Sequence, residues 1–228
     1  MAHVPPPKRH PYDQWAPDAR ALDLVGDKWT LLIVRDLASG PRRFVELQRT
    51  LPGISTEQLR SRLNRMVADG LLTRQRYREV PPRVDYELTE RSRELMPVIG
   101  ALARWGYDWA WGPPRQGENV DIGAILRVAP GLLVLGESAS GTVACVIEGD
   151  DETRERRHVL TVSRGRVAIS ESATDRVDVE VRGTVANWIR ALGPEAHVDA
   201  LSVRGSRGLA DAVLSGLSAA AARATAAA

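Results

Sequence analysis

The sequence predicts an α+β protein in two successive parts, a helix-rich part closed by a β-hairpin and then a sheet-and-helix part. Three observations carry this. Apolar residues recur at helical spacing between Asp18 and Val67; apolar and polar residues alternate over 71–88 and again from residue 142; and Gly112-Pro113-Pro114-Arg115-Gln116-Gly117 has the composition of a linker. The parts are residues 1–112 and 118–228. A chain of 228 residues with 43% hydrophobic content has enough apolar surface for two modest cores.

Before Pro17 the chain is Pro-rich and reads as an extended arm. A first helix begins at Asp18, with Ala21, Leu22 and Val25 on one face and Gly26 as a C-terminal stop. Asp27 then caps a second helix carrying Trp29, Leu32, Ile33 and Leu37, stopped by Gly40-Pro41. A short third helix holds Phe44, Leu47 and Leu51 and ends at Pro52-Gly53. Ser55 with Gln58 three residues on forms a capping box, so a fourth helix starts there. Its stripe Leu59, Leu63, Met66 and Val67 faces the core. Glu57, Ser61, Asn64 and Arg65 take the opposite face, flanked by Arg60 and Arg62. Gly70 terminates it. Strands follow at Leu71 to Arg78 and Val84 to Leu88, and the loop Glu79-Val80-Pro81-Pro82-Arg83 is too long for a tight hairpin and stands out as a wing.

Three helices, a capped amphipathic helix and a basic-rimmed hairpin compose a winged helix-turn-helix domain, in which the capped helix enters the DNA major groove. Charge agrees with this: the net charge is only +2, but between Arg42 and Arg83 there are 10 basic residues to 4 acidic ones. The bland alternative is a general preference for Arg, since Lys8 and Lys28 are the only lysines among 31 basic residues. Phosphate contacts are expected from Arg43, Arg76, Arg78 and Arg83. Ser55, Thr56, Glu57, Arg60, Ser61, Arg62 and Arg65 complete the candidate DNA surface, with Arg60 or Arg65 suited to guanine; the alternative for each is a solvated charge. From Thr89, Leu95, Val98, Ile99, Leu102, Trp105 and Trp109 form a long apolar edge, more than a small domain can bury. It suits a homodimer interface; the alternative is packing on the second domain.

The order of residues resembles the HxlR family of transcriptional regulators, a MarR-like branch of the winged helices. The resemblance rests on Ala19-Arg20-Ala21-Leu22-Asp23-Leu24-Val25-Gly26-Asp27-Lys28-Trp29-Thr30, Gly40-Pro41-Arg42-Arg43-Phe44-Val45-Glu46-Leu47 and Leu51-Pro52-Gly53-Ile54-Ser55. It continues through Leu59-Arg60-Ser61-Arg62-Leu63, Asp69-Gly70-Leu71-Leu72, Tyr86-Glu87-Leu88-Thr89 and Trp105-Gly106, over residues 12–112. It implies a dimeric regulator of palindromic operators, with repression as the expected mode and the helix from Ser55 as reader. Many members carry a sensing cysteine before the proline that opens the first helix; here that place is Ala16, before Pro17, so thiol sensing there is excluded.

Beyond the linker, Ile122, Ile125 and Leu126 read as a helix, Leu132 to Leu135 as strand or helix, and Asp150 to Arg156 as an exposed hairpin tip. Strands are expected at Thr142 to Glu148, His158 to Ser163, Arg166 to Ser170, Val177 to Arg182 and Leu201 to Arg204, with helices at Thr184 to Leu192 and Arg207 to Leu217. This α+β layer resembles the sterol-carrier-protein type fold, which implies an apolar cavity and a small apolar effector. Val143, Cys145, Ile147, Trp188 and Leu192 are the candidate ligand-binding residues, and an ordinary core fits them equally well. The alternative role is dimerisation or protein interaction.

An enzyme is disfavoured. His3, His10, His158 and His197 are scattered, and there is neither metal-ligand spacing nor a Gly-rich phosphate loop, so no cofactor or metal is expected. Ser138-Ala139-Ser140 lacks a nearby base. His158 reads as a satisfied structural residue. RNA is disfavoured because its A-form major groove excludes a helix. With Cys145 as the only cysteine, no signal-peptide core and no long apolar run, a cytoplasmic protein is expected.

Overall fold

The computed structural model describes residues 11–78, 83–149, 154–171 and 176–218. The chain forms two compact units, Met1–Leu95 and Met96–Ala228. The arm before residue 11, the wing tip 79–82, the hairpin tip 150–153 and the Ala-rich tail from 219 lie outside the described residues.

In the first unit, α1 (Pro17–Val25) has Pro at its start, where the missing N–H costs nothing, and Asp18 in its first turn. Gly26 ends it for a reason other than left-handed backbone. Its φ is −77°, but a Cβ there would lie 2.6 Å from the Leu22 carbonyl oxygen. Ala19 and Val25 are buried, whereas Leu22, expected on the apolar face, is exposed. Helix α2 (Thr30–Leu37) supplies the fully buried Ile33, Val34 and Leu37. The two-residue strand β1 (Arg42–Arg43) leads into α3 (Phe44–Thr50), and α4 (Thr56–Ala68) follows. Strands β2 (Leu72–Tyr77) and β3 (Arg83–Leu88) are antiparallel, and β1 joins the far side of β3, giving the order β1-β3-β2. Leu47, Leu59, Leu63, Met66, Tyr86 and Leu88 are buried in this unit's core. Gly70, at φ +70°, makes the left-handed turn out of α4 that a side chain would resist. Helix α5 (Glu90–Arg93) is capped by Thr89.

Helix α6 (Met96–Trp109) belongs to the second unit, so the compact units divide well before the 112–117 linker. Glycine backbone contact explains it. A Cβ on Gly100 would lie 1.8 Å from the carbonyl oxygen of Gly131, and one on Gly131 1.8 Å from that of Met96, so α6 and α8 (Ala129–Leu132) meet backbone to backbone. Arg104 adds a 3.1 Å hydrogen bond to the Leu132 carbonyl, and the Tyr107 hydroxyl donates to that of Leu217 at 2.8 Å. Burial pushes the Tyr107 phenol up to about 12.

Helix α7 (Ile122–Leu126) is capped by Asp121. The run expected as strand or helix at Leu132 to Leu135 leaves α8 after Leu132, and Val134 is exposed. The sheet follows: β4 (Gly141–Glu148), β5 (Arg156–Ser163), β6 (Arg166–Ser170) and β7 (Val179–Thr184), then α9 (Val185–Leu192), β8 (Ser202–Gly205) and α10 (Arg207–Leu217). Its order is β6-β5-β4-β7-β8, antiparallel except for the central β4–β7 pair. Register puts Val143, Cys145 and Ile147 on one side with Leu160 and Val181, beneath α9 and α10. The other side buries Ala144, Val146 and Val159 against Val177. Beside that cluster runs an ion row: Arg157 to Glu180 at 3.0 Å, Glu180 to Arg182 at 3.2 Å and Arg182 to Glu155 at 2.5 Å.

Candidate nucleic-acid interface

The reading helix forms as its cap dictates. The Ser55 hydroxyl accepts from the Gln58 N–H at 3.1 Å, and the Gln58 side-chain oxygen accepts from the Ser55 N–H at 3.1 Å. Two otherwise unsatisfied helix donors are thereby satisfied. Leu59, Leu63 and Met66 are buried, which leaves Glu57, Arg60, Ser61 and Asn64 exposed on the opposite face of α4 at i, i+3, i+4 and i+7. An exposed row of one guanidinium, one carboxylate, one hydroxyl and one amide has the donors and acceptors that base edges present in a major groove.

The other candidate residues separate by what already holds them. Thr56 is exposed, but its hydroxyl accepts from Gln48 Nε2 of α3 at 2.8 Å. Arg62, expected on the DNA-facing flank, lies 3.0 Å from Asp27 Oδ2. Arg65, expected to point outward, turns along the helix to Asp69 at 3.4 Å with a side chain only 14% exposed. The sequence placed it outward by angle alone; its aliphatic stem lies instead along the helix flank, four residues from its carboxylate partner. Arg83, expected as a phosphate contact in the wing, forks onto Asp85 at 2.5 and 2.9 Å and lies over the Tyr77 ring at 5.1 Å.

Asp85 is the reason for that last pairing. It sits in β3 at 2% exposure, with Arg43 of β1 across the register and 3.9 Å away. The Arg83 hydrogen bond, opposed by burial and helped by the Arg83 and Arg43 charges, holds its carboxyl below the usual range. Arg43 remains half exposed on its side chain. Arg76 and Arg78, like Arg60, are exposed, and none of the three forms an ion pair among the described residues. Arg76 and Arg78 lie at the wing base as exposed cations suited to phosphate.

The pattern is that of a known family. A model of HxlR-like helix-turn-helix proteins matches residues 24–112. An uncharacterized HTH-type transcriptional regulator of Synechocystis sp. is 43% identical over 93 residues, covering 41% of this chain and 69% of that protein. The uncharacterized HTH-type transcriptional regulator YkvN of Bacillus subtilis is 36% identical over 96 residues, covering 42% of this chain and 81% of its own. The chain belongs to the HxlR-like family. Among solved structures, the reduced form of the transcriptional regulator YodB from B. subtilis is 33% identical, covers 42% of this chain and 96% of its own, and superposes with a TM-score of 0.38. The HxlR-like relatives are transcriptional regulators rather than enzymes, and residues 24–112 make this chain a DNA-binding regulator of the helix-turn-helix type.

The HxlR-like match ends at residue 112, so the second unit beyond α6 rests on its own geometry. All five residues expected to bind a ligand, Val143, Cys145, Ile147, Trp188 and Leu192, are at 0–1% exposure. The Trp188 indole N–H donates to the Val146 carbonyl at 3.0 Å, and burial pushes the Cys145 thiol up to about 12, which makes it inert. His158 is buried opposite Cys145, and its Nδ1 has no hydrogen-bond partner, so it is less satisfied than its strand position suggested. Burial, only partly offset by Glu171 at 3.4 Å, lowers its pKa to about 4. Around it, Arg127 meets Asp121 at 2.5 Å and Glu171 at 3.0 Å, and Arg156 reaches Asp121 at 3.1 Å.

Sequence reasoning missed Asp27 and Gln48 as partners of the reading helix. Asp27 was legible as a helix cap, but its second bond, to Arg62 on another helix, carries no local signal.

Proposed function

We propose that this HxlR-like regulator acts as a homodimeric, cytoplasmic repressor that reads a palindromic operator with Glu57, Arg60, Ser61 and Asn64, while Arg43, Arg76 and Arg78 position it on phosphates. The observation that carries this reading is the exposed polar row on a helix closed by a capping box, beside Arg76 and Arg78, which are exposed and form no ion pair among the described residues. Homodimerisation is supported by α6, whose face Val98, Leu102, Trp105 and Trp109 is 52 to 76% exposed, an apolar stripe of a kind that protein partners cover. The test is fluorescence anisotropy on duplex DNA over a range of salt. With three phosphate contacts per protomer, six in the dimer, log K should fall with log salt at a slope of about −5. A slope near zero sinks the DNA reading, and equal affinity for matched RNA sinks the major-groove reading.

The second unit, in this reading, binds a small apolar effector of the kind a sterol-carrier-type layer accommodates. Support comes from the wholly apolar side of β4 beneath α9 and α10. A second reading, in which the unit serves dimerisation, is favoured by the Gly100–Gly131 backbone contact that builds α6 into it. Quenching or enhancement of Trp188 fluorescence by apolar compounds, coupled to a change in operator affinity, supports the effector. Dimerisation without any such response supports the second reading.

A further inference from the structure

We propose that Asp27 and Arg62 form a positioning pair that sets the rotation of the reading helix, so that Arg62 governs sequence discrimination without contacting DNA. The proposal rests on the DNA-binding reading above and deepens it. Asp27 stands in the corner between α1 and α2, and its carboxylate is fixed before Arg62 is considered. Oδ1 accepts from the Trp29 N–H at 2.9 Å and the Thr30 N–H at 3.1 Å, while Oδ2 accepts from the Thr30 hydroxyl. Thr30 is itself fully buried, so this anchor belongs to the core of the unit. Arg62 Nη1 reaches the same Oδ2 at 3.0 Å.

Arg62 sits on the flank of α4, between the buried stripe Leu59, Leu63 and Met66 and the exposed row Glu57, Arg60, Ser61 and Asn64. A tie on the flank resists rotation of the helix about its own axis, which a stripe of interchangeable apolar contacts does less well. A second tie holds the first turn: Gln48 of α3 donates to the Thr56 hydroxyl at 2.8 Å. Six residues separate the two ties, about 9 Å of helix. Fixed at both points, the exposed row keeps one angle toward a groove. Hydrogen bonds to base edges weaken steeply with misalignment, so a small rotation costs discrimination while phosphate contacts by flexible arginines survive it. The Arg62 charge is already satisfied by a fixed carboxylate, which separates it from Arg60, Arg76 and Arg78.

The experiment uses the full chain. A duplex selected from a random pool by the wild-type protein is compared with a scrambled duplex across salt concentrations, for wild type, Arg62→Gln, Arg62→Lys, Asp27→Asn and the double variant Asp27→Asn/Arg62→Gln. Asn keeps an oxygen to accept the Trp29 and Thr30 N–H groups, so the cap of α2 survives. Each single variant should lower the ratio of selected to scrambled affinity by about tenfold, and the double variant should fall no further, because one interaction is removed twice. Scrambled-duplex affinity and salt slope should stay at wild-type values. Arg62→Lys keeps the charge and loses the geometry, so it should behave as Arg62→Gln does. The pair is overturned if Arg62→Gln weakens both duplexes alike and reduces the slope by about two per dimer, the signature of a phosphate contact. It is equally overturned if the ratio is unchanged, or if Asp27→Asn is silent where Arg62→Gln is not. Failure of the underlying reading shows differently, as a wild-type protein that selects no duplex or binds with no salt dependence.

Discussion

Helices α4 and α6 are each amphipathic, each bury one face, and present opposite chemistries on the other. The exposed side of α4 is Glu57, Arg60, Ser61 and Asn64; that of α6 is Val98, Leu102, Trp105 and Trp109. A polar row is content in water and gains little from meeting another protein. An exposed row with two tryptophans leaves several hundred Å² of apolar surface in water, which costs about 25 cal/mol per Å² until something covers it. The two faces therefore call for different partners, a nucleic acid and a second apolar surface. The units that carry them also differ in how they hold buried charge. Asp85 is satisfied by two arginines, whereas His158 is kept neutral beside a cluster of opposed charges.

The largest expected effect tests the α6 face. Replacing Trp105 and Trp109 together by Asp should weaken self-association by at least a hundredfold, as loss of central aromatic anchors does, and sedimentation velocity at micromolar protein would show a monomer. A dimer that survives would place the interface elsewhere and remove the contrast between the two helices.

Acid should separate the two units next. The folded pKa of His158, about 4, lies below its ordinary 6.5, so the unfolded state binds the proton first and its contribution is lost as pH falls from about 6.5 to 4. Asp85 is also depressed, but from 3.8; its contribution is fully present above that value and is lost only below it. Urea unfolding followed by hydrogen exchange should therefore show the second unit weakening first on acidification. Loss of both in the same window would contradict the assignment of His158 as a buried neutral imidazole.

Base reading comes third. Arg60→Ala should relax preference at one operator position by roughly 1 to 3 kcal/mol, measured by competition with single-base operator variants. A uniform loss over all variants would move Arg60 from base edges to phosphate. The smallest effect belongs to the arginines at the wing base. Arg78→Ala should lower affinity for every duplex alike and make the salt slope shallower by about two per dimer, with discrimination unchanged.

Much of this molecule is written locally. The capping box at Ser55 and Gln58, the start of α1 to within one residue and the turn at Gly70 were legible, because each depends on residues within one turn of chain. The same holds for the strands of the second unit, whose alternation survives because register fixes which residues share a face. The apolar stripe of α4 follows from period alone.

What the sequence could not settle was which partner each long side chain takes. Arg62, Arg65 and Arg83 look like Arg60 and Arg76 in a list of basic residues, yet among the described residues three of the five are held by carboxylates and two are not. A guanidinium on a flexible stem reaches any of several positions, and only the folded distances choose among them. The unit to which α6 belongs was decided in the same way. Its amphipathic pattern shows that one face must be covered, and Gly100 against Gly131 decides which helix covers it, since two backbones approach that closely only where neither carries a Cβ. Periodicity along the chain determined the elements and their apolar faces; three-dimensional proximity between residues far apart in sequence determined the pairings, because nothing local encodes them.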